Sequence, residues 1–292
     1  MGHGRSPQIL CHVAGRPAPG RPVSRAPKDV VITQALTGAC RADAAPPEST
    51  PRRWEDEEDR IRAAYARRTN DAGQYSWARM GHVFQAQERE RFVLLALRRH
   101  GMLPLADKSI LEVGSGTGGR LRDFIKWGAM PENLTGVELL PGEIARARAL
   151  LPAAVTLLCR NAAELPFPAA TFDIVLQSTM FTSILEPALR RQVAAEMVRV
   201  LKPTGLILWS DFFLNNPRNR DVRGVSKREI RTLFSGCRVE LRRSGLAPPL
   251  ARRLAEHSWL ATYLLGHVPW LCTHYLGVIR PPGDRPGHEA PH

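Results

Sequence analysis

The sequence predicts an α/β fold, a mostly parallel sheet covered by helices on both faces. Three observations carry this. From about residue 109 onward, short apolar runs alternate with helical stretches. Runs such as Ile174-Val175-Leu176 are continuously apolar, as strands buried on both faces require. The first run, Ile110-Leu111-Glu112-Val113, leads directly into a glycine-rich turn and then a helix.

The elements follow in order. Residues 1–52 are Pro- and Arg-rich and lack hydrophobic periodicity, so a disordered N-terminal extension is expected. That stretch lacks the continuous apolar segment of a secretory signal. Residues 53–101 predict helices. Glu55-Asp56-Glu57-Glu58-Asp59 precede a basic stretch, which suits the helix dipole. A loop with Tyr75 and Trp77 follows, then a second helix at 85–100 stopped by Gly101. Strands are expected near 109–113, 134–138, 154–158, 172–176 and 204–210. Helices are expected near 118–127, 141–150 and 186–201. Beyond them come a helix at 226–235, a strand at 237–245, a helix at 250–265 and a strand at 272–280. Residues 282–292 read as a disordered tail.

Composition bounds the function. The chain has 292 residues, 43% of them hydrophobic, enough for one large core. The formal net charge is +13, but the arginines are scattered and no nucleic-acid-binding module accompanies them. Nucleic acid is therefore a disfavoured partner. The five cysteines form no C-x-x-C pair and no zinc-type spacing, so no metal is expected and a reducing, cytoplasmic setting is. No apolar run reaches the roughly 18 residues of a bilayer span. The nearest, 259–272, is interrupted by Gly266, His267 and Pro269 and is expected to cover the core or an apolar pocket; peripheral membrane contact is left open. A monomer or homodimer is expected.

The glycine turn admits two ligands. Gly114, Gly116 and Gly119 satisfy the G-x-G-x-x-G of dinucleotide-binding folds. Glu112 with Gly114, Gly116 and Gly118 spells E-x-G-x-G-x-G. Both readings want an acidic residue at the end of the second strand, where Glu138 stands. An NAD(P)-dependent oxidoreductase thus remains an alternative, although no Y-x-x-x-K is present.

Further runs distinguish them. Asn161-Ala162-Ala163-Glu164-Leu165-Pro166-Phe167 is followed by Thr171-Phe172-Asp173-Ile174-Val175-Leu176, and later by 197–208 ending in Leu201-Lys202-Pro203-Thr204-Gly205-Leu206. In order and spacing, residues 85–280 resemble the class I methyltransferases that use S-adenosylmethionine, in particular the quinone-biosynthesis and natural-product enzymes. The resemblance implies a Rossmann-like sheet of seven strands with the last antiparallel. It implies a helical lid at 53–101 and a cofactor-binding domain at 102–281. Asn161 departs from the family, which usually carries Asp there.

The resemblance also assigns roles. Gly114, Gly116 and Gly118 let the backbone approach the cofactor, and Glu112 orients the methionyl ammonium. Glu138 takes the ribose, Leu139 packs on adenine, Asn161 and Ala162 meet the adenine edge, and Gln177 leads toward the methyl donor. The implied activity is methyl transfer to an oxygen, nitrogen or carbon of a small-molecule acceptor. A macromolecular acceptor such as RNA, a peptide or a lipid carrier is the second alternative. Candidate bases are Asp211, just past the fifth strand, and His274. Candidate acceptor-binding residues are Tyr75, Trp77, Phe181, Thr182, Phe212, Phe213, Asn215 and Arg218.

Overall fold

A computed structural model of the chain describes residues 54–67, 76–215 and 219–282. The expected extension and tail, and with them Tyr75 and Arg218, lie outside the described residues. The strands are β1 (Ile110–Val113), β2 (Leu134–Glu138), β3 (Thr156–Cys159), β4 (Phe172–Ser178), β5 (Leu201–Phe212), β6 (Arg238–Leu246) and β7 (Cys272–Arg280). They form one sheet in the order β3-β2-β1-β4-β5-β7-β6, with β7 alone running antiparallel to its neighbours. The strand order reverses between β1 and β4, which opens a crevice beyond their carboxyl ends.

The helices are α1 (Glu55–Arg67), α2 (Met80–Arg99), α3 (Gly119–Lys126), α4 (Pro141–Leu150), α5 (Pro187–Val200), α6 (Lys227–Leu233), α7 (Pro248–Leu254) and α8 (Trp259–Gly266). One sheet face presents Ile110, Ile174, Leu176, Leu206, Leu208 and Val278 to apolar residues of α2, α3 and α4. The other presents Leu111, Val113, Val175, Ile207, Trp209 and Tyr275 to α5, α6 and α1. Burial on both sides is why the central strands carry no polar alternation.

Two expected boundaries are corrected. The second helix begins at Met80 rather than 85, because Arg79 holds the last extended backbone before it. The single helix expected at 250–265 is two. Ser258 adopts φ −154°, breaks the run, and caps α8 by accepting the Ala261 N–H at 3.2 Å.

Candidate functional site

The turn after β1 is built by three glycines at positive φ, 72° at Gly114, 51° at Gly116 and 74° at Gly118. A Cβ at Gly114 would lie 2.5 Å from Met180 Cγ, and one at Gly118 would lie 2.4 Å from Leu151 Cδ1. A Cβ at Gly116 would meet nothing within 4 Å. Two glycines thus serve packing, while Gly116 turns its bare backbone to open space at the crevice.

Glu138, at the end of β2, holds this turn. Its Oε2 accepts the Gly116 N–H at 2.9 Å and its Oε1 accepts the Leu140 N–H at 3.0 Å. Burial raises its carboxyl above the usual range, and these backbone bonds oppose the rise. The carboxylate retains lone-pair capacity for a ligand hydroxyl. Leu139 and Ala162 are half-buried beside the core on either side of this corner.

Glu112 is buried under the start of α3, where the Leu121 backbone donates to it. Burial pushes its pKa up to about 8, against the pull of Arg120. Its Oε2 has no hydrogen-bond partner. A buried carboxylate oxygen left this way costs free energy until a donor arrives. Arg89, from α2, is its counterpart. Its Nε is buried without a partner, and burial with nearby Arg120 pushes its pKa down to about 10. Arg89 lines a small cavity with Arg120, Phe124, Gln177, Ser178 and Ser210 at the ends of β4 and β5. Glu112 and Arg89 feel each other's charge but form no ion pair.

Gln177 closes the other side of the crevice. It accepts from Met180 N at 3.2 Å and donates to the Ser210 carbonyl at 3.5 Å. Thr179 follows at φ 57°, a conformation costly for a β-branched residue and common where a site demands it.

Asn161 shows why Asp is absent. Its Oδ1 accepts the Ala163 N–H at 2.8 Å, and its Nδ2 donates to Glu58 Oε1 of α1 at 2.5 Å. An aspartate has no donor for that glutamate. The opposite side of α1 reaches the loop after β4. Glu57 accepts from the Leu185 N–H at 2.5 Å, and Arg60 donates to the Ser183 carbonyl at 2.5 Å. Tyr65 Oη and Ser183 Oγ are 3.3 Å apart, and Arg67 pairs with Asp221 at 3.0 Å. The first helix is therefore strapped between the loops after β3, β4 and β5.

The two candidate bases do not meet. Asp211 pairs with Tyr275 in the β5–β7 register and Phe212 with His274, so Asp211 and His274 point to opposite sheet faces. Asp211 is buried, accepts from Thr182 N at 3.2 Å and Phe212 N at 2.9 Å, and has its pKa pushed up to about 7 by burial. It pins β5 to the 179–182 turn. His274 Nδ1 lies 2.9 Å from Thr273 Oγ1, and burial pushes its pKa down to about 4. It is neutral at pH 7.

The residues expected at the acceptor wall differ in burial. Phe181 is fully buried in the core, 4.7 Å from the Trp209 ring and 6.5 Å from that of Phe234. Thr182 is buried against Asp211. Phe212 sits beside His274, Phe213 stacks on Tyr275 at 4.5 Å, and Asn215 accepts the Gly224 N–H at 2.9 Å. Trp77 is exposed, edge-on to His82.

Sequence reasoning missed Arg89 and Glu58. Arg89 sits inside Glu88-Arg89-Glu90-Arg91, which reads as a solvated run. The signal was its spacing, three and four residues before Phe92 and Val93, which places a charge on the apolar stripe of α2. Glu58 could not be found, because its partner lies 103 positions away.

The comparisons with known proteins fall on this crevice. Residues 110–205 match the family described as "Methyltransferase domain". The chain is 28% identical over 188 residues to the 2-methyl-6-phytyl-1,4-hydroquinone methyltransferase of Synechocystis, covering 60% of this chain and 56% of that one. It is 35% identical over 117 residues to an uncharacterized methyltransferase of Mycobacterium leprae, covering 40% of this chain and 41% of that one. This chain spans about half the length of those relatives. Among solved structures, the [4+2]-cyclase SpnF aligns with TM-score 0.50 at 18% identity, over 67% of this chain and 82% of that one. That likeness bears on the fold alone.

S-adenosylmethionine fits the crevice by a test internal to the structure. Its amino-acid end needs an acceptor for an ammonium and a donor for a carboxylate. Among the described residues, unpaired buried carboxylate oxygens stand on Glu112 and Glu88 and unpaired guanidinium nitrogens on Arg89 and Arg223; of these, Glu112 lies in β1 beside the glycine turn and Arg89 in the cavity at the ends of β4 and β5. No group of three or more residues able to hold a metal occurs among the described residues.

Proposed function

We propose that the chain transfers a methyl group from S-adenosylmethionine to an oxygen, nitrogen or carbon of a small, amphipathic acceptor. The observation that carries this is the unpaired pair Glu112 and Arg89. A nicotinamide dinucleotide has no zwitterionic amino-acid end to satisfy both, which weighs against the oxidoreductase alternative.

When bound, the cofactor supplies a sulfonium methyl that an acceptor's lone pair displaces in line, and catalysis is largely alignment. Glu112 holds the ammonium and Arg89 the carboxylate. Glu138 receives the ribose hydroxyls through its spare lone pairs, while Gly116 leaves room for close backbone approach. Leu139 and Ala162 flank the adenine. Asn161 keeps α1 in place over that end through Glu58. The lid at 53–101 is proposed to be this strapped helix together with α2. On the acceptor side, Gln177 and Thr179 form the rim, with Phe212, Phe213 and Asn215 beyond it. His274 is the remaining base candidate. A neutral imidazole with so low a pKa suits an acceptor that is already nucleophilic or readily deprotonated. The Synechocystis relative, whose name gives a prenylated hydroquinone as its substrate, supports an acceptor of that amphipathic kind. The three described cysteines are free thiols, which supports a cytoplasmic setting. We propose a monomer or homodimer as the working unit.

Calorimetric titration with S-adenosylhomocysteine, NAD(H) and NADP(H) tests the reading. S-adenosylhomocysteine alone should bind, and Arg89→Met should weaken it about tenfold or more. Nicotinamide binding without S-adenosylhomocysteine binding would move the function to redox chemistry.

A further inference from the structure

The surface made by α7, α8 and the turn after α8 is unlike the rest of the molecule. Trp270 is 84% exposed, Leu260 67% and Leu264 59%. Leu250 and Trp259 are also exposed. Leu260 and Leu264 stand four apart on α8 and so form one stripe. The Met80 N–H donates to Glu256, which draws the exposed Trp77 loop alongside. Exposed tryptophan and leucine in one strip lose free energy in water and mark a contact surface.

The charges around the strip select its partner. Residues 242–271 carry Arg242, Arg243, Arg252 and Arg253 against one acid, Glu256. Arg243 Nη1 donates to the Pro269 carbonyl at 3.4 Å, so a guanidinium lies at the base of the Trp270 turn. Arg252 and Arg253 are exposed on α7. Tryptophan with leucine, bordered by arginine, is the chemistry of a bilayer interface, where indoles sit at headgroup level and cations meet lipid phosphates. A second copy of this chain would oppose arginine to arginine in a two-fold contact. No helix among the described residues is long and apolar enough to cross a membrane, so contact would be peripheral.

We infer that α7, α8 and the Trp270 turn seat the protein on the surface of an anionic lipid bilayer. Leu260, Leu264 and Trp270 enter the headgroup layer, and the α7 arginines pair with phosphate. This holds whether or not the chain transfers methyl groups.

Sedimentation of the full chain with phosphatidylcholine vesicles, with and without phosphatidylglycerol, tests it. Binding should require the anionic lipid and weaken with salt. Trp270→Glu and the double variant Leu260→Glu/Leu264→Glu should abolish it, and Arg253→Ala should weaken it about fivefold. All these side chains are exposed, so unchanged circular dichroism melts should confirm intact folding. Failure of the wild-type chain to bind anionic vesicles would overturn the inference. So would wild-type binding by the Glu variants, which would place the contact elsewhere. A wild-type dimer in sedimentation velocity that Leu264→Glu dissociates would also overturn it, by making the strip a protein interface.

Discussion

Glu112 is a carboxylate kept waiting for a cation. Its pKa of about 8 lies above the ordinary 4.5, so the folded chain binds its proton more tightly than the unfolded chain does. The sign follows: this group's effect on stability is neutral below about pH 4.5, and stability falls as pH rises through about 8. Glu112→Gln should therefore flatten the decline in melting temperature across that window. A ligand ammonium reverses the preference, because it favours the ionised form. Affinity for S-adenosylhomocysteine should rise with pH toward 8 in the wild-type chain and become nearly level in Glu112→Gln, as titrations at several pH values would show. A wild-type profile without that rise would remove Glu112 from the ammonium site. Asn161 carries an independent prediction. Asn161→Asp sets a carboxylate against Glu58 where a 2.5 Å hydrogen bond now stands. Backbone amides of α1 should then exchange at least about fivefold faster, the measure of a lost charged hydrogen bond. Unchanged exchange would mean that Glu58 does not hold the helix.

At the scale of elements, the alternation of faces along β5 decides what its residues can do. Ile207, Trp209 and Asp211 share one side, and Leu208 and Phe212 the other. Phe181 packs on the Trp209 side, so Phe181→Ala should cost about 3–5 kcal/mol in urea unfolding. If the loss appeared instead as a raised KM with stability intact, Phe181 would be wall after all. The parallel core was legible because each of its strands signals itself locally, through apolar runs and the turns between them. The Gly114–Gly118 turn was legible for the same reason, since positive φ leaves glycine as a written trace. The split between α7 and α8 was less so, because Ala255-Glu256-His257 can continue a helix and only the cap at Ser258 ends it. The opposite facing of Asp211 and His274 needed the β5–β7 register, which pairs residues more than 60 positions apart.

At the scale of the molecule, what the sequence could not display is what α1 and α2 bring from outside the glycine-turn strand. Arg89 was hidden among 41 lysines and arginines, and only the packing of α2 separates it from the solvated ones. Glu58, Glu57 and Arg60 look like a plain amphipathic helix until their partners at Asn161, Leu185 and Ser183 are known. That strap has a kinetic meaning. A helix fastened on both sides of a crevice sets how long a spent molecule dwells there, since departure must wait for the fastening to open. Arg60→Ala should shorten the residence time of S-adenosylhomocysteine in stopped-flow displacement, with a smaller change in Kd. In a chain so fastened, the clock of turnover would be the opening of its first helix, and thicker solvent should slow it.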